Sequence, residues 1–155
     1  PGTASSSTQN EKGIYGDNAP RCKDLMDQFY GPYFQAVFDF ANFVQVGQKT
    51  LPAYEMLKPY IAYVHVKDAA WGSGTVVAPR PGDGDLPAIL GDLLQTGWKG
   101  FLSLEPHLTD FAGLAALEHD PQKRGSALDG KSAWKLALDS LKEILSAIPQ
   151  AKEAL

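Results

Sequence analysis

Two rhythms of apolar and polar residues alternate along the chain. Short runs rich in Val, Ile, Phe and Tyr, at Ala36-Val37-Phe38-Asp39-Phe40, at Ile61 through Asp68 and at Gly100 through His107, each reach ionisable side chains as they end. Their length and their β-branched and aromatic content predict buried strands. Between them the apolar residues recur at helical spacing. Cys22, Leu25, Met26 and Phe29 share one face of a helix predicted from Pro20 to Phe29, opened by the capping side chains of Asp17-Asn18 and ended by Tyr30-Gly31-Pro32. Tyr54, Leu57 and Lys58 place a short helix within Leu51 to Tyr60. Leu86, Ile89, Leu90, Leu93 and Leu94 form the stripe of another, capped by Asp85 and closed at Gly97. Trp134, Leu138, Leu141, Leu145 and Ile148 mark a final helix from Ser132 to Ile148.

The remaining segments lack either rhythm. Pro1 to Asn10 is rich in Ser and Thr and reads as a flexible lead-in or truncation scar, which leaves residues 11–155 as a single domain. Ala70 to Asp85 is rich in Gly and Pro and predicts a long loop, a kind of segment that often carries a lid or binding role. Thr109 to Lys131 is polar, with a short helix suggested at Phe111 to Leu117. Strands and helices therefore alternate, and that order predicts βαβ units and a parallel sheet.

In such a sheet all strands point the same way, so their C-terminal ends share one rim. Asp39, His65 and Glu105 end the three predicted strands. Any one of them alone would be an ordinary strand-end or capping residue; three in succession argue for a shared site. Carboxylate oxygens with one imidazole suit Mn²⁺, Mg²⁺, Co²⁺ or Zn²⁺, and no thiolate set points to structural zinc. Lys67 lies two residues after His65, hence on the same face. His107, two after Glu105, is placed to reach the same rim, although Pro106 disturbs the alternation. Phe40, Phe43 and Trp71 flank the rim. Asp68 reads as a strand-ending or loop-capping residue, and His119 as a solvated one.

With 44% hydrophobic and 21% charged residues, the chain has the composition of one globular unit. Its net charge of −4 and lack of a Lys/Arg stripe argue against nucleic acid as a partner and favour a small molecule. No apolar stretch approaches membrane-spanning length and no signal-peptide layout opens the chain, so a cytoplasmic protein is expected. The single cysteine, Cys22, has no internal disulfide partner and reads as a core residue.

An ordered set of motifs adds a resemblance. Glu11-Lys12-Gly13-Ile14-Tyr15-Gly16-Asp17, Val37-Phe38-Asp39-Phe40-Ala41-Asn42-Phe43, His65-Val66-Lys67-Asp68-Ala69, Gly82-Asp83-Gly84-Asp85-Leu86 and Phe101-Leu102-Ser103-Leu104-Glu105-Pro106-His107 resemble the sugar phosphate isomerase/epimerase group of xylose-isomerase-like TIM barrels. The resemblance implies a (β/α)8 barrel with a divalent metal held by Asp39, His65 and Glu105 from its sixth, seventh and eighth strands. Glu105 would also be the acid/base in proton transfer between neighbouring sugar carbons. Asn42 falls where related epimerases often carry a substrate-binding histidine, and Lys67, Glu11 and His107 are the other candidates for substrate contact. One departure stands out. The family's fifth strand normally ends in a metal-binding glutamate, and Gln9 occupies that place.

A complete barrel needs roughly 200 residues or more. The chain, at 155, is expected to hold only the C-terminal half, about strands six to eight with their helices. Such a half would expose sheet edges and pair with a second copy or with an N-terminal half-barrel. Three functions follow: a metal-dependent sugar isomerase or epimerase, an inosose dehydratase-type lyase on the same scaffold, or a noncatalytic half-barrel fragment that needs a complementary half.

Overall fold

In a computed structural model that describes residues 6–109, 128–149 and 151, the elements run β1 (Ser6–Gln9), α1 (Ala19–Phe29), β2 (Phe34–Asp39), α2 (Phe40–Gln45), α3 (Thr50–Leu57), a 3-10 turn (Lys58–Tyr60), β3 (Ile61–Val66), β4 (Asp68–Ala69), β5 (Val76–Val77), α4 (Leu86–Gln95), β6 (Phe101–Leu104) and α5 (Gly130–Ser146). Four strands pair in the order β1-β2-β3-β6, every pair parallel. Asp39 is the register partner of His65, and His65 of Ser103. The helix suggested at Phe111 to Leu117, the residue His119 and the first five residues lie outside the described residues.

The strand alternation divides the residues as the sequence pattern requires. Phe38, Val64 and Val66 are buried in one core with Tyr54 and Leu57 of α3, Leu86, Ile89, Leu90 and Leu93 of α4, and Leu141, Ile144 and Leu145 of α5. Their alternates Asp39, His65 and Lys67 come together at the C-terminal rim. Toward the other end of the strands, Ser7, Gln35, Tyr63 and Phe101 are among the residues lining an open hollow of about 470 Å³. Phe101 is 74% exposed there. Among the described residues, β1 and β6 have a sheet neighbour on one side only. No described helix is long and apolar enough to cross a membrane.

The structure corrects the expected lead-in. Ser6 to Gln9 is a strand paired with Phe34 to Val37. Its polar sequence hid it, because its place is secured by backbone pairing and by Asn10, which is 3% exposed. The Asn10 side chain donates to the Asp39 carbonyl at 2.9 Å and accepts the Asp39 N–H at 2.8 Å. The sheet thus has four strands where three were expected. The short helix α2 was also not anticipated; it begins directly at the strand end, with Asp39 as its N-cap.

The loop after β3 is more ordered than its composition suggests. Asp68-Ala69 and Val76-Val77 form a two-stranded antiparallel ribbon. The Asp68 carboxylate, 1% exposed, accepts backbone N–H groups from Ala69, Arg80, Gly82 and Gly84 at 2.9 to 3.2 Å. Gly82 and Gly84 permit this approach, since a Cβ on either would stand 2.3 or 2.7 Å from the Asp68 carboxylate. Asp85 does precede α4, but with φ of 57° it makes no side-chain cap. Its carboxylate instead accepts the Thr50 hydroxyl at 2.6 Å, joining the start of α3 to that of α4.

Candidate metal centre

Asp39 lies where β2 turns into α2, a junction that aims its carboxylate inward and leaves it with no exposed surface. Oδ1 accepts the Asn42 N–H at 3.0 Å, satisfying a donor at the helix start. Oδ2 accepts the Gln9 side-chain amide at 3.1 Å and lies 3.0 Å from the Lys67 Nζ. Lys67 is 4% exposed and donates to Glu105 Oε2 at 3.1 Å. Glu105 Oε1 lies 3.2 Å from His65 Nδ1, which is 3.9 Å from Asp39 Oδ2. The edge-on ring of Tyr63, 5.3 Å away, fixes the plane against which His65 packs.

Asp39, His65 and Glu105 each offer a ligand atom within 4.8 Å of the others. The register explains the convergence: Asp39 and His65 are side by side on adjacent strands, and Glu105 follows β6 on the far side of His65, its N–H bonded to the Val66 carbonyl. His65 Nδ1 is buried without a hydrogen bond among the described residues. An imidazole nitrogen left so, between two carboxylates, fits a divalent cation taking hard oxygen and nitrogen donors.

Burial sets the electrostatics. Loss of water pushes the Asp39 carboxyl up from the usual carboxylate range, against the pull of Lys67 and of the Asn42 N–H. Burial also works against the Lys67 ammonium, but Asp39 and then Glu105 outweigh it and hold Lys67 above its ordinary value. At Glu105 partial burial is overcome by Lys67 first and His65 next, so its carboxyl is lowered. The centre therefore holds Lys67 as an ammonium and Glu105 as a carboxylate at neutral pH.

The other candidates divide. His107 Nε2 is 3.9 Å from Glu105 Oε2, at the edge of the cluster. Asn42 is 1% exposed, and its amide donates to the Asn10 carbonyl at 2.9 Å and toward Glu11 Oε2 at 3.5 Å. Asn42 and Glu11 thus fasten the chain leaving β1 to α2, beneath the carboxylates. Asn10 is the residue that sequence reasoning missed: its clasp on Asp39 needs β1 in place, and the one signal for it was its position directly before the Glu11-Lys12-Gly13 segment.

A family model described as xylose isomerase-like TIM barrel matches residues 8–144. Among solved structures, the chain is similar to a xylose isomerase domain protein from Planctomyces limnophilus, at a TM-score of 0.60 and 21% identity over 92% of this chain and 44% of that one. It is similar to a D-tagatose 3-epimerase-like protein at 0.61 and 16% over 90% and 46%. A third is the probable 3-DHS dehydratase AsbF from Bacillus anthracis, at 0.54 and 17% over 65% and 42%. At these identities the likeness is one of fold, and this chain spans less than half the length of each. No curated protein matches it in sequence.

Proposed function

The chain belongs to the xylose isomerase-like TIM barrel family, as a partial barrel, and from that premise we propose that its rim carries a metal-dependent sugar isomerase or epimerase centre. The observation that carries this reading is the convergence of Asp39, His65 and Glu105 within 4.8 Å at three adjacent strand ends. Those three residues would hold the divalent ion. When bound, it supplies Lewis acidity toward a carbonyl and its neighbouring hydroxyl, which acidifies the C–H between them.

The chain's own residues supply the remaining parts. Glu105, with 31% of its side chain exposed, faces the open side of the rim as a carboxylate and takes the proton from that carbon. Returned to the neighbouring carbon, the proton gives isomerisation; a proton delivered instead to the opposite face of the same carbon, by a second acid or a water there, gives epimerisation. Lys67 donates to substrate oxygens as charge develops on them. Asp39, fully buried and capped by the Asn42 N–H, keeps its place while the other groups exchange partners. The substrate is a small ketose or polyol-derived ketone.

Incubation with Mn²⁺ and a panel of keto-sugars and inososes in D2O tests the reading. Deuterium appears at the carbon beside the carbonyl, and product analysis separates isomer or epimer from a dehydrated product, the latter assigning a lyase instead. Mn²⁺ binding without exchange on any substrate of the panel would overturn both.

A second reading rests on the exposed Phe101 and the one-sided edges of β1 and β6. In it, turnover appears only when a complementary half-barrel closes on this sheet. Exchange seen solely after adding such a half selects it.

A further inference from the structure

Lys67 already occupies the electrostatic position that a cation would take. Its Nζ lies 3.0 Å from Asp39 Oδ2 and 3.1 Å from Glu105 Oε2, so each carboxylate of the centre gives it one oxygen. Lys67 is 4% exposed and Asp39 has no exposed surface, so little water screens the contact. The same Asp39 oxygen also receives the Gln9 amide at 3.1 Å. Where a third carboxylate would add negative charge, Gln9 contributes a neutral donor. With the Lys67 ammonium between them, the two carboxyl groups leave the centre with at most one net negative charge, far short of what a divalent ion and an ammonium together would demand.

We infer that Lys67 is an internal counter-cation that competes with the divalent ion for Asp39 and Glu105, so that the metal enters only as the ammonium withdraws. The way out is past Glu105, whose side chain is 31% exposed, toward the open side of the rim. Metal loading is thereby coupled to the position of one side chain, and a substrate oxygen at the rim offers the displaced ammonium a new acceptor. This inference rests on the proposed cation centre and adds its regulation.

Calorimetric titration of the chain with Mn²⁺ tests it, with folding of each variant checked by circular dichroism. Lys67→Met is expected to bind Mn²⁺ about tenfold or more tightly than the natural chain, because a repelling charge a few ångströms away is gone. Lys67→Arg keeps the charge and the weak binding; a lysine that merely props the structure would give the opposite order, with Lys67→Met weakest. His65→Ala loses binding in any background. In the natural chain, the ¹⁵N signal of the Lys67 ammonium moves as Mg²⁺ is added, a readout that needs no variant. If the natural chain and folded Lys67→Met bind equally and His65→Ala does not bind, or if the ammonium signal stays fixed at saturating Mg²⁺, the competition is overturned while the cation centre stands. Absence of binding in every form overturns both.

Discussion

The Lys67 ammonium lies 3.0 Å from Oδ2 of Asp39, a carboxylate with no exposed surface. A buried pair of this kind contributes little net stability when whole and costs much when halved. Asp39→Ala, which strands the ammonium and removes the cap of α2, is expected to lower the free energy of unfolding by about 3–5 kcal/mol. Urea denaturation measures it; a loss below about 1 kcal/mol would mean that water reaches the pair.

Glu105 is the group assigned to the moving proton. Glu105→Gln preserves size but cannot accept it, and the deuterium-exchange rate on an active keto-sugar should fall by about 10²–10⁴-fold. An unchanged rate would remove Glu105 from the chemistry.

Asp68 gives a pH dependence of defined sign. Burial pushes its carboxyl up to about 6, despite four backbone N–H donors that pull it down. The folded chain then takes up a proton that the unfolded chain, with an ordinary value of 3.8, still lacks. Stability owed to Asp68 is therefore full below about pH 4 and falls as the pH rises to about 6, by up to about 3 kcal/mol. Other groups titrate in the same window, so the natural chain must be compared with Asp68→Asn. The difference between their stability curves should change across pH 4–6 and be flat above about pH 7.

Gly84 is constrained by space. A Cβ there would stand 2.7 Å from Asp68 Oδ1, 2.8 Å from Leu86 Cδ1 and 2.9 Å from Phe40 Cβ. Gly84→Ala should cost about 1–3 kcal/mol as three packed neighbours shift. Gly91, with nothing near its Cβ position on α4, is the control: Gly91→Ala should be neutral or stabilising by up to about 1 kcal/mol in thermal melts.

Phe101 is 74% exposed on a sheet with one-sided edges. Light scattering should report species larger than one chain at micromolar concentration, with an apolar dye bound, and Phe101→Lys should reduce both. A monodisperse monomer that ignores the dye would remove the partner reading.

The three apolar strand runs and the helical stripes were legible because burial on one side enforces their period. Phe38, Val64 and Val66 alternate with Asp39, His65 and Lys67 for that reason, and the rim cluster followed from parallel polarity alone. β1 was not legible. Ser-Ser-Thr-Gln carries no apolar alternation, and what holds it is backbone pairing to β2 together with the Asn10 clasp on Asp39. These are contacts between residues about thirty positions apart, invisible to a local reading. Asn42 came from the resemblance as a candidate substrate contact; that its amide is engaged with the chain shows only once Asn10 is in position. Asp68 reads from sequence as a strand-ending or loop-capping residue, and it does cap the loop, but which backbone groups it gathers, from Ala69 to Gly84, has no signature in sequence.

That anchor gives the excursion after β3 a modular character. Asp68 gathers the chain back at Arg80, Gly82 and Gly84, so the end of β3 is tied to the start of α4 by contacts that lie outside the tip of the excursion. The tip, where Gly72 and Gly74 turn with φ of 81° and 66°, is a natural port for insertion. Doubling the excursion would cost only about 0.6 kcal/mol in closure entropy, a small toll for a new side chain or reporter carried beyond Trp71.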